Sequence, residues 1–221
     1  MKENYFEQAR AQMIKTDLRG RDITDERVLE VMGSLPREQF VPAAYKTSAY
    51  ADCPLPIGAG QTISQPYIVA LMTQELAVKA EDVVLEIGTG SGYQAAILAR
   101  LANKVYTIER IVALSKSAQQ VLAKLGITNV EFYIGDGSCG WPKSRLPDKG
   151  FFDKIMITAA VPAIPQPLIE QLGHEGLIVA PVGTGSVQQL VVGQKKADKL
   201  AERVICDVRF VKLIGKYSFS Q

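Results

Sequence analysis

The strongest sign of chemistry in the chain is Glu86-Ile-Gly88-Thr-Gly90-Ser-Gly92-Tyr93. A short apolar run precedes it and a helical pattern follows. Glycines at alternate positions of a strand-to-helix turn let the backbone bend sharply and let a ligand approach it closely. A tight turn without a ligand does not need three of them in alternation. The dinucleotide fingerprint GxGxxG would put glycine at position 93, which is tyrosine here. No lysine or arginine falls between Val83 and Ala99, and Glu86 stands at the strand end. A pyrophosphate gains from a helix N-terminus but is repelled by a nearby carboxylate. S-adenosyl-L-methionine carries a sulfonium and an ammonium, so the acidic strand end favours a methyl donor over a nicotinamide cofactor.

Two further acids agree. Glu109 ends the next predicted strand, 21 residues after Gly88. A carboxylate there accepts hydrogen bonds from adenosine ribose hydroxyls; an ordinary surface pair with Arg110 is the competing reading. Asp136, in Gly135-Asp136-Gly137, follows the third strand, where a carboxylate can meet the adenine amino group. A turn-forming Asp-Gly is the alternative. Both residues fall in loops after consecutive strands, where open α/β sheets bind ligands. Ser64 belongs to Gly58-Ala-Gly60-Gln61-Thr62-Ile63-Ser64-Gln65-Pro66. With Pro66 in the first helical turn, Gln65 takes the cap and Ser64 lies just outside it. Helix capping explains Ser64 imperfectly, and the residues alone leave a ligand contact and a structural role both open.

Other reactive side chains are few. The single histidine, His174, reads as a turn residue between a helix and a strand. Trp141 reads as a packing residue. Cys53, Cys139 and Cys206 are widely spaced, form no CxxC pair, and read as buried small hydrophobes in a reducing compartment. No metal site is expected.

Strands alternating with helices must position these residues. Apolar runs at 83–87, 104–108, 130–134, 154–158 and 177–182 read as strands buried on both faces. Helices are predicted from about 93 to 101 and over 111–125. The expected fold is α/β, with a doubly wound parallel sheet. Residues 187–193 and 203–214 read as antiparallel strands at one edge. The first third is helical and irregular: a helix over 3–18 carries Phe6, Met13, Ile14 and Leu18. Thr24 can cap a second helix with Val28, Met32 and Leu35 on one face. Residues 49–64 read as extended and looped, and Pro66 opens a helix carrying Ile68, Met72 and Leu76. An extension over 1–80 carrying the Ser64 loop, followed by a nucleoside-binding unit over 81–221, is the expected organisation.

The chain has 221 residues, 47% hydrophobic and 22% charged, as a globular protein does. Its net charge of +2 comes without any basic block, which argues against a nucleic-acid partner. The uncharged run 176–194 holds four glycines, a proline and three glutamines, so it reads as two strands and a turn rather than a membrane helix. The polar N-terminus does not read as a signal peptide, and a soluble cytoplasmic protein is expected.

The sequence resembles the bacterial type of the protein-L-isoaspartate (D-aspartate) O-methyltransferase family. The likeness rests on Leu35-Pro-Arg-Glu-Gln-Phe-Val41, Leu55-Pro-Ile-Gly-Ala-Gly-Gln-Thr-Ile-Ser-Gln-Pro-Tyr67, Val84-Leu-Glu-Ile-Gly-Thr-Gly-Ser-Gly-Tyr-Gln94, Gly135-Asp-Gly137, Thr158-Ala-Ala-Val-Pro162, Pro181-Val-Gly183 and Val208-Arg-Phe-Val211. The glycine motif and the acids are common to class I methyltransferases; the GQTISQP segment is far more specific. The resemblance implies a Rossmann-like class I sheet of seven strands, with helices on both sides, an N-terminal helical extension and rearranged C-terminal strands. It implies Ser64 as the catalytic residue and Ser64 and Val211 as substrate contacts. It implies Gln61, Thr62, Ile63, Glu86, Gly88, Gly90, Glu109, Asp136 and Gly137 as contacts to S-adenosyl-L-methionine. The implied partners are damaged proteins and peptides containing isoaspartyl residues, met by a monomer. The family usually has proline after the Val-Arg-Phe-Val run, where this chain has Lys212. A glycine pair common before the fifth strand is Glu175-Gly176 here, a change expected to be harmless.

The implied chemistry suits the sparse inventory. An isoaspartyl carboxylate ionises near pH 4 and is already a nucleophile at neutrality, so no general base is required. Three other readings compete: a class I methyltransferase acting on a small molecule or RNA, a nicotinamide-linked oxidoreductase, and an inactive cofactor-binding scaffold.

Overall fold

The computed structural model describes residues 2–197 and 199–220. Helix α1 (Lys2–Gln12) runs directly into one π-helical segment, Met13–Leu18, so the predicted helix over 3–18 continues with a widened end. Helix α2 (Glu26–Ser34) is capped by Asp25, whose side chain accepts from the Arg27 amide, rather than by Thr24. The Thr24 amide instead donates to the Gln74 side chain, 2.7 Å away. After Pro36 and Pro42 come short 3-10 turns, Arg37–Gln39 and Ala43–Ser48.

Strands β1 (Leu55–Gly58) and β2 (Gln61–Ile63) form a hairpin where the sequence suggests only loop. Its two-residue turn, Ala59-Gly60, has φ of 50° and 70°, the handedness that suits twisted hairpins. Helix α3 (Pro66–Leu76) has proline at its start and no side-chain cap from Gln65. Asp52 takes that role from a distance, accepting from the Tyr67 amide at 2.9 Å.

The remaining elements are β3 (Val83–Ile87), α4 (Tyr93–Leu101), β4 (Lys104–Glu109), α5 (Val112–Lys124), β5 (Val130–Ile134), β6 (Phe152–Ile157), α6 (Gln166–Gln171), β7 (Leu172–Val182), β8 (Gln188–Lys196) and β9 (Lys199–Val208). Their sheet has the order β5-β4-β3-β6-β7-β8-β9. Strands β3 to β7 pair in parallel; β8 and β9 are antiparallel, as expected for the edge. Residues 209–214, expected to extend the last strand, leave it instead. A bridge between Ala160 and Lys212 carries them across the sheet end.

Alternation along each strand sorts two cores. Val84, Val105, Met156 and Val179 face the extension and helices α3 and α4. Leu85, Tyr106, Ile155 and Ile178 face the other side, under α6 and Trp141. The first core runs without interruption from Met13 and Leu18 of the extension into the sheet. Trp141 packs edge-on against Tyr106 at 4.9 Å, and its indole N–H donates to the Arg145 carbonyl at 2.7 Å.

Three smaller expectations need correction. His174 lies inside β7, because that strand begins at Leu172, earlier than the apolar run that marks it. Cys53 and Cys139 are exposed and Cys206, on the edge strand β9, is half-buried. Glu175 sits at φ 59°, a left-handed conformation that costs a residue with a side chain about 1–2 kcal/mol, so the glutamate is not free of cost. No helix among the described residues is long and apolar enough to cross a membrane.

Candidate active site

Strand order reverses direction between β3 and β6, and ligands bind beyond the carboxyl ends of strands at such a point. The glycine turn after β3 starts there. Gly90, at φ 52°, adopts a conformation that L side chains resist, and an added Cβ would reach no atom nearer than Ile57 Cδ1, 3.4 Å away. Gly92 answers a different need. A Cβ there would lie 2.8 Å from Leu122 Cδ1 and 3.0 Å from the Ala118 Cβ, so it lets α5 pack against the start of α4.

Two cavities open onto this turn, and a third adjoins them at Thr62 and Thr158. One lies over the ends of β3, β4 and β5. Its floor is Gly88 and Gly90, its walls include Glu109, Ile111 and Gly137, and Gln61 and Thr62 of the hairpin close over it. A second, smaller one lies beneath Thr62, Ile63 and Ser64, against Thr89 and Gln94. The third is a cleft of about 710 Å³ lined by Ser64, Tyr67, Arg209, Phe210 and Val211. Thr62 and Thr158 line all three cavities, and Ser64 separates the second from the third. The Ser64 carbonyl accepts from Arg37 at 2.7 Å, and the residue lines both the smaller cavity and the large cleft. Val211 borders both the first cavity and the large cleft.

The structure thus brings together Gln61, Thr62, Ile63, Ser64, Gly88, Gly90, Glu109, Gly137 and Val211. Glu109 is nearly buried, and its two oxygens accept from the Gly90 and Ile111 amides, both at 2.9 Å. It therefore shapes the glycine turn as well as walling the cavity. Glu109→Ala is expected to weaken binding of adenosine-containing ligands by about 1.5–3 kcal/mol, the worth of hydrogen bonds to a charged group. The turnover at saturating cofactor should change much less, because such contacts are alike in ground and transition states. Calorimetry with S-adenosyl-L-homocysteine checks the first statement and steady-state kinetics the second.

Two expected contacts are not on the cavity walls. Glu86 registers with Thr107 and Met156, so alternation turns it beneath the glycine turn, toward the helical extension. It is fully buried and accepts from the Thr107 hydroxyl at 2.5 Å; that hydroxyl is 2.6 Å from the Thr89 hydroxyl. Glu86 reaches the cavity only through this chain of two threonines. Burial pushes its carboxyl up, the Thr107 hydroxyl opposes the rise, and the Glu109 charge adds to it, bringing it to about 8. An acid strand end therefore does not by itself present a negative charge to a cation. Asp136 is the other residue absent from the walls. One of its oxygens accepts from the Ser138 amide and hydroxyl, at 2.9 and 2.7 Å, and the other from the Lys216 amide at 2.7 Å. It caps a 3-10 turn and tethers the chain's last residues, while its neighbours Gly135 and Gly137 line the cavity. Burial raises its carboxyl, but these hydrogen bonds outweigh burial and hold it below the usual range.

The Glu86 geometry has a consequence for stability. The unfolded chain loses this proton near pH 4.5 and the folded one near 8, so between those values the folded state binds more protons. Stability from this group falls as pH rises through that window. Glu86→Gln, which cannot ionise, should gain on the wild type from pH 5 to pH 8.5, by on the order of a few kcal/mol in all. Parallel melting curves of the two proteins across that range check it; a constant difference would mean that Glu86 is ionised throughout.

Thr158 escaped the sequence reading as a site residue. Its hydroxyl lies 2.7 Å from the Gly88 carbonyl, at the hinge of the turn. Its position after the fourth parallel strand, at the sheet's carboxyl edge, was the available signal.

The comparisons with known proteins point one way. The profile of the protein-L-isoaspartate(D-aspartate) O-methyltransferase family matches residues 8–218. A protein-L-isoaspartate O-methyltransferase from Methanoregula boonei is 53% identical over 95% of this chain and 94% of its own. One from Syntrophobacter fumaroxidans is 49% identical over 97% and 98%. Among solved structures, a protein-L-isoaspartate O-methyltransferase superposes with a TM-score of 0.82 at 27% identity, covering 95% of this chain and 67% of that one. A Plasmodium falciparum structure, described as the same enzyme in complex with S-adenosyl-L-homocysteine, shares the fold with a TM-score of 0.78 at 22% identity, over 93% and 98%.

Proposed function

The chain belongs to the protein-L-isoaspartate(D-aspartate) O-methyltransferase family, and from that premise we propose how its residues divide the work of methylating an isoaspartyl carboxylate. The protein is an S-adenosyl-L-methionine-dependent methyltransferase of protein repair. The observation that carries the division of labour is Ser64, standing between the inner cavities and the large cleft.

The first cavity fits the methyl donor. Its floor is an open glycine turn, Glu109 offers acceptor oxygens for ribose hydroxyls, and Ile108, Ile111 and Leu213 offer apolar walls for a base. When bound, S-adenosyl-L-methionine supplies a methyl group activated by its positive sulfur. Gln61, Thr62 and Ile63 cover the donor from the hairpin and exclude water. Gly88, Gly90 and Gly137 let it lie against the backbone. Glu86 acts from behind, through Thr107 and Thr89, rather than by contact.

The large cleft takes the peptide, with Val211 along its backbone. Ser64 donates a hydrogen bond to one carboxylate oxygen, so that the other lies in line with the methyl carbon and sulfur. Holding that line is the catalytic task, since the nucleophile is ionised already. The next amide nitrogen of the peptide then attacks the methyl ester, expels methanol and closes a succinimide. Hydrolysis of the ring returns part of the damage to normal aspartate.

The 1–80 extension, on this reading, carries the active-site loop, and 81–221 binds the donor. The three cysteines, none in a disulfide, fit a reducing cytoplasm. A monomer acting on exposed damaged segments, with no nucleic-acid partner, completes the proposal. Initial rates at saturating substrates test the chemistry. They should stay flat from about pH 6 to 7.5, because no group need lose a proton to attack. A steep rise with pH would indicate a hydroxyl or amine nucleophile, and so a different substrate.

A further inference from the structure

The segment Leu35–Val41 carries part of the family likeness, yet nothing above gives it a role. Its Arg37 is fully buried. Among the described residues its guanidinium meets carbonyls and an aromatic ring, and no carboxylate. Nε donates to the Ala49 carbonyl and one terminal nitrogen to the Ser64 carbonyl, each at 2.7 Å. The guanidinium carbon stands 4.7 Å from the centroid of the Tyr93 ring. The other terminal nitrogen, Nη1, and the Tyr93 hydroxyl are both buried without a hydrogen bond of good geometry among the described residues, and the two side chains have only each other's approach to offset that. Burying a cation without a countercharge costs several kcal/mol, and an apolar side chain would fill the same space at less cost. Arg37 is poorly explained as packing.

What it joins is more informative. Tyr93 is the first residue of α4, directly after the glycine turn. Ser64 is the residue between the two cavities. Its carbonyl lies one residue before the ladder of α3, whose N-cap Gln65 accepts from the Val69 amide at 3.2 Å. Gln65, next along, is held from the opposite side by Asp52, which accepts from Gln65 Nε2 at 3.1 Å. One guanidinium therefore ties the serine loop to the helix that follows the glycine turn. Arginine suits this because its planar fork can donate to two carbonyls while the cation stands over an aromatic ring.

We infer that Arg37 is a positioning residue for methyl transfer, fixing the Ser64 backbone against the glycine-turn helix so that the hydroxyl stays at the junction of the cavities. The inference rests on the reading of Ser64 as the residue that orients the carboxylate. Arg37 touches neither ligand; it acts through Ser64.

A double-mutant cycle tests it. Arg37→Lys keeps the charge but has one nitrogen in place of the fork, so it cannot put donors at both the Nε and the terminal position. It should lower kcat at least about tenfold, while the Kd of S-adenosyl-L-homocysteine, by calorimetry, moves less than about twofold. Added to Ser64→Ala, it should lower kcat by less than about a further twofold, because the hydroxyl it positions is gone. A wild-type kcat for Arg37→Lys, or effects that multiply in the double variant, would overturn the inference while leaving Ser64 in place. A wild-type kcat for Ser64→Ala would remove the Ser64 reading instead. Should Arg37→Lys not fold, Tyr93→Leu takes its place in the cycle, removing the ring that supports the guanidinium, with the same pattern expected. Failure of both to fold would overturn the inference, since the cluster would then serve stability.

Discussion

Gly90→Val is expected to abolish binding of S-adenosyl-L-methionine and of its product while leaving a folded protein. Gly90 lines the cavity that fits the donor and also the pocket beneath the hairpin. At φ 52° a branched side chain is strained by about 1–2 kcal/mol, too little by itself to unfold a domain of ordinary stability. The space that a Cβ would enter is bounded only by Ile57, so the valine methyls would project into the cavity instead of colliding with the core. The expected loss is at least about a hundredfold in affinity, since a ligand overlapping two methyl groups cannot keep its close approach to the backbone. Calorimetry beside a melting curve separates the two effects. A folded variant that binds S-adenosyl-L-homocysteine like the wild type would show the donor site to be elsewhere.

Ser64→Ala should produce the second large effect, and in a different constant. Its hydroxyl is assigned to one oxygen of the substrate carboxylate, a hydrogen bond to a charged group worth about 1.5–3 kcal/mol. Alignment matters most when oxygen, carbon and sulfur share the transferring methyl, so the loss should fall mainly on kcat, by about 10- to 150-fold, and less on the peptide KM. The Kd of S-adenosyl-L-homocysteine should scarcely move, because Ser64 meets the donor side only at the edge of the smaller pocket. A variant that loses peptide affinity but keeps kcat would make Ser64 a binding residue.

Local patterns carried much of the fold. The run that became β3 is bounded at the same residues in sequence and structure, because a strand covered on both faces leaves a nearly continuous apolar signature. The glycine turn was legible for the same reason: its conformation constrains residue type locally. The β1–β2 hairpin was not. Pro56 argues against a strand, and the turn that pairs the two puts alanine at positive φ. The face that Glu86 takes follows from the alternation along β3 rather than from its place near the strand end. Counting by twos from Val84 would have put it on the face toward the extension. The partner that fixes Asp136, the Lys216 amide, lies 80 residues further on, and no local pattern encodes it. Arg37 is invisible in the same way, since its meaning depends on Ala49, Ser64 and Tyr93 arriving from three separate segments.

The most direct test of the account compares matched peptides that differ only in carrying an isoaspartyl or a normal aspartyl residue. The two have equal charge and composition and differ in one methylene moved from side chain to backbone. A site that works by alignment can separate them only through geometry. Transfer of a radiolabelled methyl group from S-adenosyl-L-methionine should proceed on the isoaspartyl peptide and be slight or absent on its isomer. Equal rates on both, or transfer to neither, would contradict the assignment of this cleft to repair of isoaspartyl damage.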